Sequence, residues 1–268
     1  MSHTLKSLLA IGTLGLAALT SYTQATTVQF QTVMGDFEVN LFDNITPETV
    51  ANFLEYVEAG DYTNTFVHRS VPGFIVQGGG FFYDIDEEQA FAIASNDPVI
   101  NEPLLSNQRG TIAMAKVGNN PNSATNQWFI SLANNSANLD NQNGGFTVFG
   151  QVTGNGMAIV DAIAGLTRVN FSTINGAFNV LPLRDYTGED AAEGVIYTHE
   201  NLVMVQNIVV LDASPDTVAD LNPAPTTRND NGGGNDGDNG GGSSGGGSVG
   251  WVLLMLLSLG LLRARCKV

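Results

Sequence analysis

The sequence predicts a mainly β fold, either a barrel or a sandwich, rather than a parallel α/β sheet. Many short apolar runs rich in Val, Ile and Phe are separated by Gly, Asn or Pro, whereas only two segments show helical spacing. Many short strands with few helices are typical of antiparallel barrels and sandwiches. The only cysteine, Cys266, lies near the C-terminus, so the central region must be stabilised by its apolar core rather than by disulfides.

The first predicted elements are a β-hairpin and a helix. Val28–Val33 and Asp36–Phe42 alternate as strands do, and Met34-Gly35 between them is suited to a tight turn. A helix then follows, with Thr46 expected to cap its start, Pro47 in the first turn and Gly60 at its end.

The rest of the domain is predicted to be strands, one further helix and one long loop. The second helix covers Met157–Ala164 and ends at Gly165. The polar stretch Phe171–Glu200 is expected to be a surface excursion outside any site. The remaining predicted strands are Thr65–Val67, Phe74–Gln77, Thr111–Ala115, Trp128–Leu132, Thr147–Gln151 and Leu202–Leu211.

The N-terminal 25 residues have the layout of a secretory signal peptide. Lys6 precedes an apolar run from Leu8 to Leu19, and Thr23-Gln24-Ala25 supplies small residues before an expected cleavage after Ala25. An uncleaved membrane anchor is the alternative, but a span needs about 20 apolar residues. Residues 1–25 are therefore assigned as a signal peptide and residues 26–215 as one folded domain.

The C-terminal end predicts a sorting signal or an anchor. Residues 216–248 become rich in Gly, Asn, Asp and Ser, a composition typical of a flexible linker. Residues 249–268 are apolar and end in Arg263, Arg265 and Lys267. This layout resembles the GlyGly-CTERM sorting signals of Gram-negative bacteria, which implies cleavage by a rhomboid-type protease and delivery to the cell surface. A permanent, weakly inserted C-terminal anchor is the alternative.

The charge of the exported part argues against nucleic-acid binding. All 26 carboxylates but only six of the ten Lys and Arg residues lie within 26–248, which gives this part a net charge of about −20. Binding to phosphate backbones needs a basic face. We expect a soluble monomer in the periplasm or at the cell surface, transiently or permanently anchored through its tail.

The segment Phe66–Gly80 (FVHRSVPGFIVQGGG) has features unlike ordinary strand packing, namely adjacent His68 and Arg69, a Pro-Gly turn and three glycines. It resembles the signature of the cyclophilins, a family of peptidyl-prolyl cis-trans isomerases. Further matching blocks follow in order: Arg109–Ala115, Ser123–Ile130, Leu139-Asp140 and Val148–Gly150. The resemblance implies a closed eight-stranded antiparallel barrel capped by two α-helices, and isomerisation of X-Pro bonds in proline-containing polypeptide clients.

The resemblance also implies roles for particular residues. Arg69 corresponds to the catalytic arginine, and Gln77 and Gln127 to polar contacts around the substrate. Ala115 and Lys116 lie where the family's backbone binds the residue before proline. The pocket for the proline ring is lined by Phe74, Ile75, Phe129 and Leu139. Asn138 stands where many members have an aromatic residue that contacts cyclosporin, so weak inhibition is expected.

No cofactor or metal is expected, because rotation about an X-Pro amide makes and breaks no bond. His3, His68 and His199 show no metal-ligand spacing, and His68 is interpreted as a packed, hydrogen-bonded structural residue. A rival hypothesis is a binding module or chaperone that holds proline-containing segments with little turnover. A hydrolase is disfavoured, since no Ser/His/Asp or Cys/His constellation is evident.

Overall fold

The computed structural model describes residues 26–213 and 221–228. The strands are β1 (Thr27–Thr32), β2 (Phe37–Leu41), β3 (Thr65–Phe66), β4 (Arg69–Val71), β5 (Ile75–Gly78), β6 (Phe81–Asp84), β7 (Gln89–Ala92), β8 (Thr111–Met114), β9 (Trp128–Ser131), β10 (Val148–Val152), β11 (Thr167–Val169), β12 (Leu181–Leu183) and β13 (Met204–Asp212). The helices are α1 (Pro47–Ala59), α2 (Ser136–Leu139), α3 (Gly156–Ala164) and α4 (Gly188–Glu193), with 3-10 turns at Gln142–Gly144 and Gly176–Phe178.

One antiparallel sheet of eleven strands forms the body of the molecule. Its order is β4-β5-β9-β8-β10-β2-β1-β13-β3-β6-β7, and β11 and β12 pair separately. The mainly β class with few helices is confirmed. The sheet has eleven strands rather than the eight expected, and no ladder joins β4 to β7 within residues 26–213, so closure into a barrel stays a prediction.

The predicted hairpin and helices are present, with ends that differ by a few residues. β1 and β2 pair across a turn in which Gly35 adopts a φ of 116°. α1 ends at Gly60, whose left-handed conformation lets its N–H bond the carbonyls of Tyr56 and Val57. α3 begins one residue earlier than predicted.

The start of α1 corrects the predicted cap. Thr46 makes no capping hydrogen bond. Instead, the carboxylate of Glu102 accepts from the backbone N–H of Thr49 at 2.9 Å and from its hydroxyl at 2.7 Å. A carboxylate at the N-terminus satisfies donors that the first turn leaves unpaired and lies at the positive end of the helix dipole. This contact spans 53 residues of sequence, so local pattern could not reveal it.

The main core lies between the sheet and the helices α1 and α3. Its largest members include stacked Phe30 and Phe37, with ring centroids 4.9 Å apart, and Trp128, whose edge meets Phe30 at 5.1 Å. Phe53 and Val160 bring the two helices into the same cluster. Burial of these aromatic side chains is the dominant stabilising contribution in a domain of this kind.

The stretch Phe171–Glu200 is more than the surface excursion that its polarity suggested. Phe171, Phe178 and Leu181 are buried and form a second apolar cluster together with Phe66 and Phe81. The carbonyl of Val180 also accepts a hydrogen bond at 3.0 Å from the backbone N–H of Ser70 in β4. Only the outer part, including α4, is exposed. The prediction was wrong because the charged residues of this segment lie between its aromatic ones.

The terminal assignments fall mostly outside the described residues. Residues 1–25 and 249–268, assigned as signal peptide and sorting signal, are not among them. Within the described part, no helix is both long and apolar enough to cross a membrane. Residues 221–228, which the sequence places in the linker, are described and lie against the domain.

Candidate active site

The predicted site residues of β4, β5 and β9 lie side by side across the sheet. Arg69 is opposite Gln77, Gln77 is opposite Phe129, and Phe129 is opposite Ala113 of β8. Because successive side chains on a strand point to opposite faces, these four residues share one face. The intervening residues, among them Val76, face the main core. Two-residue periodicity therefore brings the guanidinium and the aromatic ring onto the same surface.

A tight turn holds β4 against β5. The backbone N–H of Phe74 donates to the carbonyl of Val71 at 3.0 Å, and Gly73 between them has a φ of 65°. A left-handed backbone of this kind favours glycine. The turn places Phe74 half-buried at the edge of the site, one residue before β5 begins.

The Arg69 side chain is the half-buried cation of this face. Its Nη1 donates to Gln77 Oε1 at 3.3 Å, and Gln77 Nε2 in turn donates to Gln127 Oε1 at 2.9 Å. Among the described residues, no carboxylate lies within 4.0 Å of the guanidinium. Burial lowers the pKa of Arg69 from its ordinary value. An arginine keeps its proton even so, and the result is a charged donor that no carboxylate of the described residues neutralises.

Glycines after β5 make room for this hydrogen-bonded chain. A Cβ on Gly80 would lie 2.8 Å from Cδ and Nε2 of Gln127, so the glutamine side chain lies directly over the glycine backbone. A Cβ on Gly79 would lie 2.6 Å from Nε1 of Trp128, and Gly79 has a φ of 78°. The glycine run thus determines where Gln127 can lie.

Beside Arg69 lies an apolar group that we call the pocket cluster. Three of the four residues expected to line a proline pocket belong to it, namely Ile75, Phe129 and Leu139, with 2 to 3% of their surface exposed. Phe74 packs against it from the edge. The other buried members are Phe42, Leu105, Ala113, Ala115, Phe146 and Val148.

Phe146 forms one wall of the pocket cluster. Its ring meets Phe129 edge-on, with centroids 5.7 Å apart. The ammonium of Lys116 lies over the Phe146 ring, 4.8 Å from the ring centroid. The backbone N–H of Phe146 donates to the carbonyl of Leu139 at 2.9 Å. These two pocket residues therefore form the neck of a loop that runs through residues 140–145.

Lys116 lies near the site, but its side chain bonds the 140–145 loop. Its Nζ donates to the carbonyls of Asn143 at 2.8 Å and Gly145 at 2.6 Å, and the residue is only 2% exposed. Burial, with a further contribution from the charge of Arg228, lowers the pKa of Lys116 to about 8. Ala115 is buried next to it, and its N–H donates to the carbonyl of Gln127 at 2.8 Å.

His68 is buried behind the site, but the expectation that it is hydrogen-bonded was wrong. It is 0% exposed, and neither ring nitrogen has a partner among the described residues. Its ring meets Phe81 edge-on at 5.0 Å. Burial, and then the neighbouring charge of Arg69, lowers the pKa of His68 to about 3, so the imidazole is neutral at physiological pH.

Sequence reasoning missed the residues that stabilise the pocket from outside. Asp140 was noted only as part of a Leu-Asp pair, yet it is 1% exposed and accepts from Ser106, Asn107 and Thr227. Residues 221–228 were assigned to the flexible linker, and nothing in the sequence indicated that they would bind the domain.

Comparison with known proteins identifies the family of the chain. The family described as "Cyclophilin type peptidyl-prolyl cis-trans isomerase/CLD" matches residues 27–177. The chain belongs to this family. Its enzyme class is accordingly peptidyl-prolyl cis-trans isomerase, and the predicted enzyme class is confirmed.

Curated relatives match about half of the chain. A peptidyl-prolyl cis-trans isomerase of Acinetobacter baylyi is 41% identical over 144 residues, which are 53% of this chain and 73% of the relative. Isomerase B of Escherichia coli is 41% identical over 145 residues, 52% of this chain and 84% of the relative. A solved cyclophilin-type isomerase of Cryptosporidium parvum is 22% identical with a TM-score of 0.47, covering 70% of this chain and 98% of that chain.

Proposed function

We propose that this cyclophilin isomerises X-Pro bonds of exported or surface polypeptides, with Arg69 as the catalytic residue and the pocket cluster as the site of the proline ring. The observation that carries the proposal is the row Arg69–Gln77–Phe129, which holds beside an apolar surface a guanidinium without a carboxylate partner among the described residues. The reaction needs both features: a hydrogen-bond donor for the prolyl nitrogen and an apolar site for the proline ring.

An X-Pro amide rotates over a barrier of about 18–20 kcal/mol, because its C–N bond has partial double-bond character. At the twisted transition state the prolyl nitrogen loses this resonance and becomes a hydrogen-bond acceptor. A guanidinium placed beside the proline ring can donate to it there but not in the planar ground state. Such a bond, present only in the transition state, lowers the barrier.

The two glutamines hold the Arg69 guanidinium in the position that this contact requires. Gln77 is only 1% exposed, and its amide joins the Arg69 guanidinium to Gln127. A neutral partner orients the guanidinium without cancelling its charge, whereas a carboxylate would compete with the substrate nitrogen. The apolar pocket cluster meanwhile excludes water from the proline ring, which strengthens the interaction.

Turnover of a proline-containing tetrapeptide by the full chain and by Arg69→Ala tests the mechanism. We expect kcat/KM to fall at least about 100-fold in Arg69→Ala, the loss typical of removing one transition-state donor. Arg69→Lys should restore little, because an ammonium lacks the rigid fork of donors. The matched control is Arg168→Ala, since Arg168 is an exposed arginine whose Nη1 donates to the carbonyls of Ala164 and Leu166.

Equal rates for the parent chain and Arg69→Ala would refute the catalytic role. A parent chain that binds the peptide but leaves its isomerisation rate at the uncatalysed value would support the rival, a proline-binding module. Peptide affinity, measured by titration alongside the rates, separates these two results.

We also propose that the chain is exported and that maturation exposes Thr26 as the N-terminus. Thr26 is 5% exposed, its N lies 2.8 Å from Asp43 Oδ2, and its hydroxyl donates to Asp43 Oδ1 at 2.8 Å. Cleavage after Ala25 would turn this backbone N–H into an ammonium that already faces a carboxylate. An ion pair would replace a hydrogen bond from a neutral donor and stabilise the processed form.

Mass spectrometry of the native protein tests this part of the proposal. A mass that starts at Thr26 is expected, and the same measurement reports whether residues 249–268 have been removed at the cell surface. A protein that retains residues 1–25 after fractionation would refute export by a cleaved signal peptide.

A further inference from the structure

We propose that residues 221–228, which we call the C-terminal strap, position the wall of the proline pocket and so determine how tightly the enzyme binds its substrate. The inference rests on the proposed proline site. The strap lies outside the range 27–177 that the family match covers, so its contribution is a property of this chain rather than of the matched region.

The strap binds the domain as a short added strand. An antiparallel bridge joins Pro225 to Leu105. On either side of it, the N–H of Ser106 donates to the carbonyl of Ala224 at 2.8 Å, and the N–H of Thr226 donates to the carbonyl of Leu104 at 2.9 Å. Proline has no N–H to contribute, so the bonds come from its neighbours. Three bonded or bridged positions fix the register of the strap.

The next residue of the strap bonds the buried carboxylate that follows a pocket residue. The N–H and the hydroxyl of Thr227 both donate to Asp140 Oδ2 at 2.9 Å. Asn107 donates to the other oxygen from its backbone and its side chain, at 2.8 and 3.0 Å. Burial alone would raise the pKa of Asp140, but these hydrogen bonds together lower it, so the carboxylate is charged. A buried charge of this kind depends on each of its donors.

Asp140 is adjacent to Leu139 at the neck of the 140–145 loop, and the strap reaches the far side of this loop as well. Arg228 Nη1 donates to the carbonyl of Gly144 at 2.6 Å, and Asn101 Nδ2 donates to the same oxygen at 3.0 Å. Asn143, Gly144 and Gly145 have φ values of 49°, 75° and 78°. Because these positive-φ residues do not continue a regular helix or strand, donors from elsewhere satisfy their carbonyls.

The strap also contacts the pocket cluster directly. Leu221, at its other end, packs against that cluster as a half-buried side chain. The strap is therefore joined to the pocket at three places: through Leu221, through Asp140 beside Leu139, and through Gly144. If these contacts are lost, Leu139 and Phe146 keep their hydrogen bond to each other but lose the support that aligns them with Phe129.

The test compares substrate binding with turnover in variants of the full chain. Thr227→Val keeps the side-chain size and removes the hydroxyl bond, whereas Thr227→Ser keeps that bond. We expect Thr227→Val to raise KM about three- to tenfold, the loss given by one hydrogen bond of ordinary strength. kcat should stay within about twofold, because Arg69 and its glutamines are not touched, and Thr227→Ser should retain the parent KM.

The chain provides a matched control at α4. Thr187 also donates through its N–H and its hydroxyl to one carboxylate oxygen, Asp190 Oδ2, each at 2.7 Å. This pair lies in the outer part of the stretch Phe171–Glu200, so Thr187→Val should leave KM unchanged. A second readout is amide hydrogen exchange of residues 139–146, which should quicken in Thr227→Val and in Arg228→Met but not in Thr187→Val.

Unchanged KM and unchanged exchange in Thr227→Val and Arg228→Met would overturn the proposal. A fall in kcat at constant KM would also overturn it, because it would place the strap in the chemical step. Failure of the proposed function is distinguishable, since it would appear as a parent chain without turnover. In that case the dissociation constants of the peptide for the same variants would test the strap without turnover, and they should rise by the same three- to tenfold.

Discussion

His68 should make the folded state sensitive to acid. In the folded chain its pKa is about 3, whereas the ordinary value is 6.5. Between these two pH values the unfolded chain binds a proton that the folded chain excludes. Stability from the neutral imidazole is therefore complete above about pH 6.5 and is lost progressively as the pH falls towards 3. His68→Leu replaces the titrating imidazole with an apolar side chain of similar size.

The size of the effect follows from linkage. One proton taken up on unfolding costs about 1.4 kcal/mol for each pH unit below 6.5. At pH 4.5 the parent chain should therefore have lost about 3 kcal/mol through His68 alone. This is a large part of the 5–15 kcal/mol that usually separates folded from unfolded states. The carboxylates also titrate in this range, but they are common to the parent chain and the variant.

The assay is urea unfolding followed by far-UV circular dichroism at intervals between pH 7 and pH 4.5. As the pH decreases, we expect the free energy of unfolding to fall more steeply in the parent chain than in His68→Leu. If the difference between the parent chain and His68→Leu stays constant over this range, the inference of a neutral, unpartnered His68 is incorrect.

Two further substitutions test local geometry. Gly80→Ala should displace the Gln127 side chain and lower kcat/KM about three- to tenfold, the effect of one lost hydrogen bond. A tetrapeptide assay measures this loss. The control is Gly176→Ala, whose added Cβ has nothing within 4 Å and which should leave kcat/KM unchanged. A Gly80→Ala enzyme with the kcat/KM of the parent chain would contradict the close approach. Asp43→Asn should lower the free energy of unfolding of a chain that starts at Thr26 by about 1–2 kcal/mol, because it removes a charge-assisted bond. Urea unfolding measures this loss, and an equal loss in a chain that retains residues 1–25 would argue against an ammonium partner.

Local pattern predicted the strand Phe74–Gln77 but not β4, and the residues of the site face came from the resemblance to the family. Arg69 and Gln77 lie on two short strands joined by a Pro-Gly turn, so the turn and the two-residue period bring them together. The ordered blocks that resemble the family then add Phe129 from β9. What local pattern cannot give is the register between distant strands and the closure of the sheet, and there the expectation of eight strands differed from the eleven observed.

Long-range polar contacts account for two of the remaining differences. The cap of α1 comes from Glu102 and not from Thr46, although Thr46 has the right chemistry and position. Thr227 likewise reaches Asp140 across 87 residues. A carboxylate that serves as an acceptor for a distant segment has no periodic signature, so only the folded chain identifies its donors. The aromatic residues of the stretch Phe171–Glu200 were overlooked for a different reason, since acidic neighbours masked their apolar pattern.

The position of the strap also has a mechanical consequence. Residue 229 follows Arg228 directly, so tension on the C-terminal tail enters the domain through the strap before it reaches any strand of the large sheet. The bonds to Asp140 and Gly144 would bear that load, and both belong to the loop whose neck carries Leu139 and Phe146. A pull on the tail would therefore act first at the mouth of the proposed proline pocket.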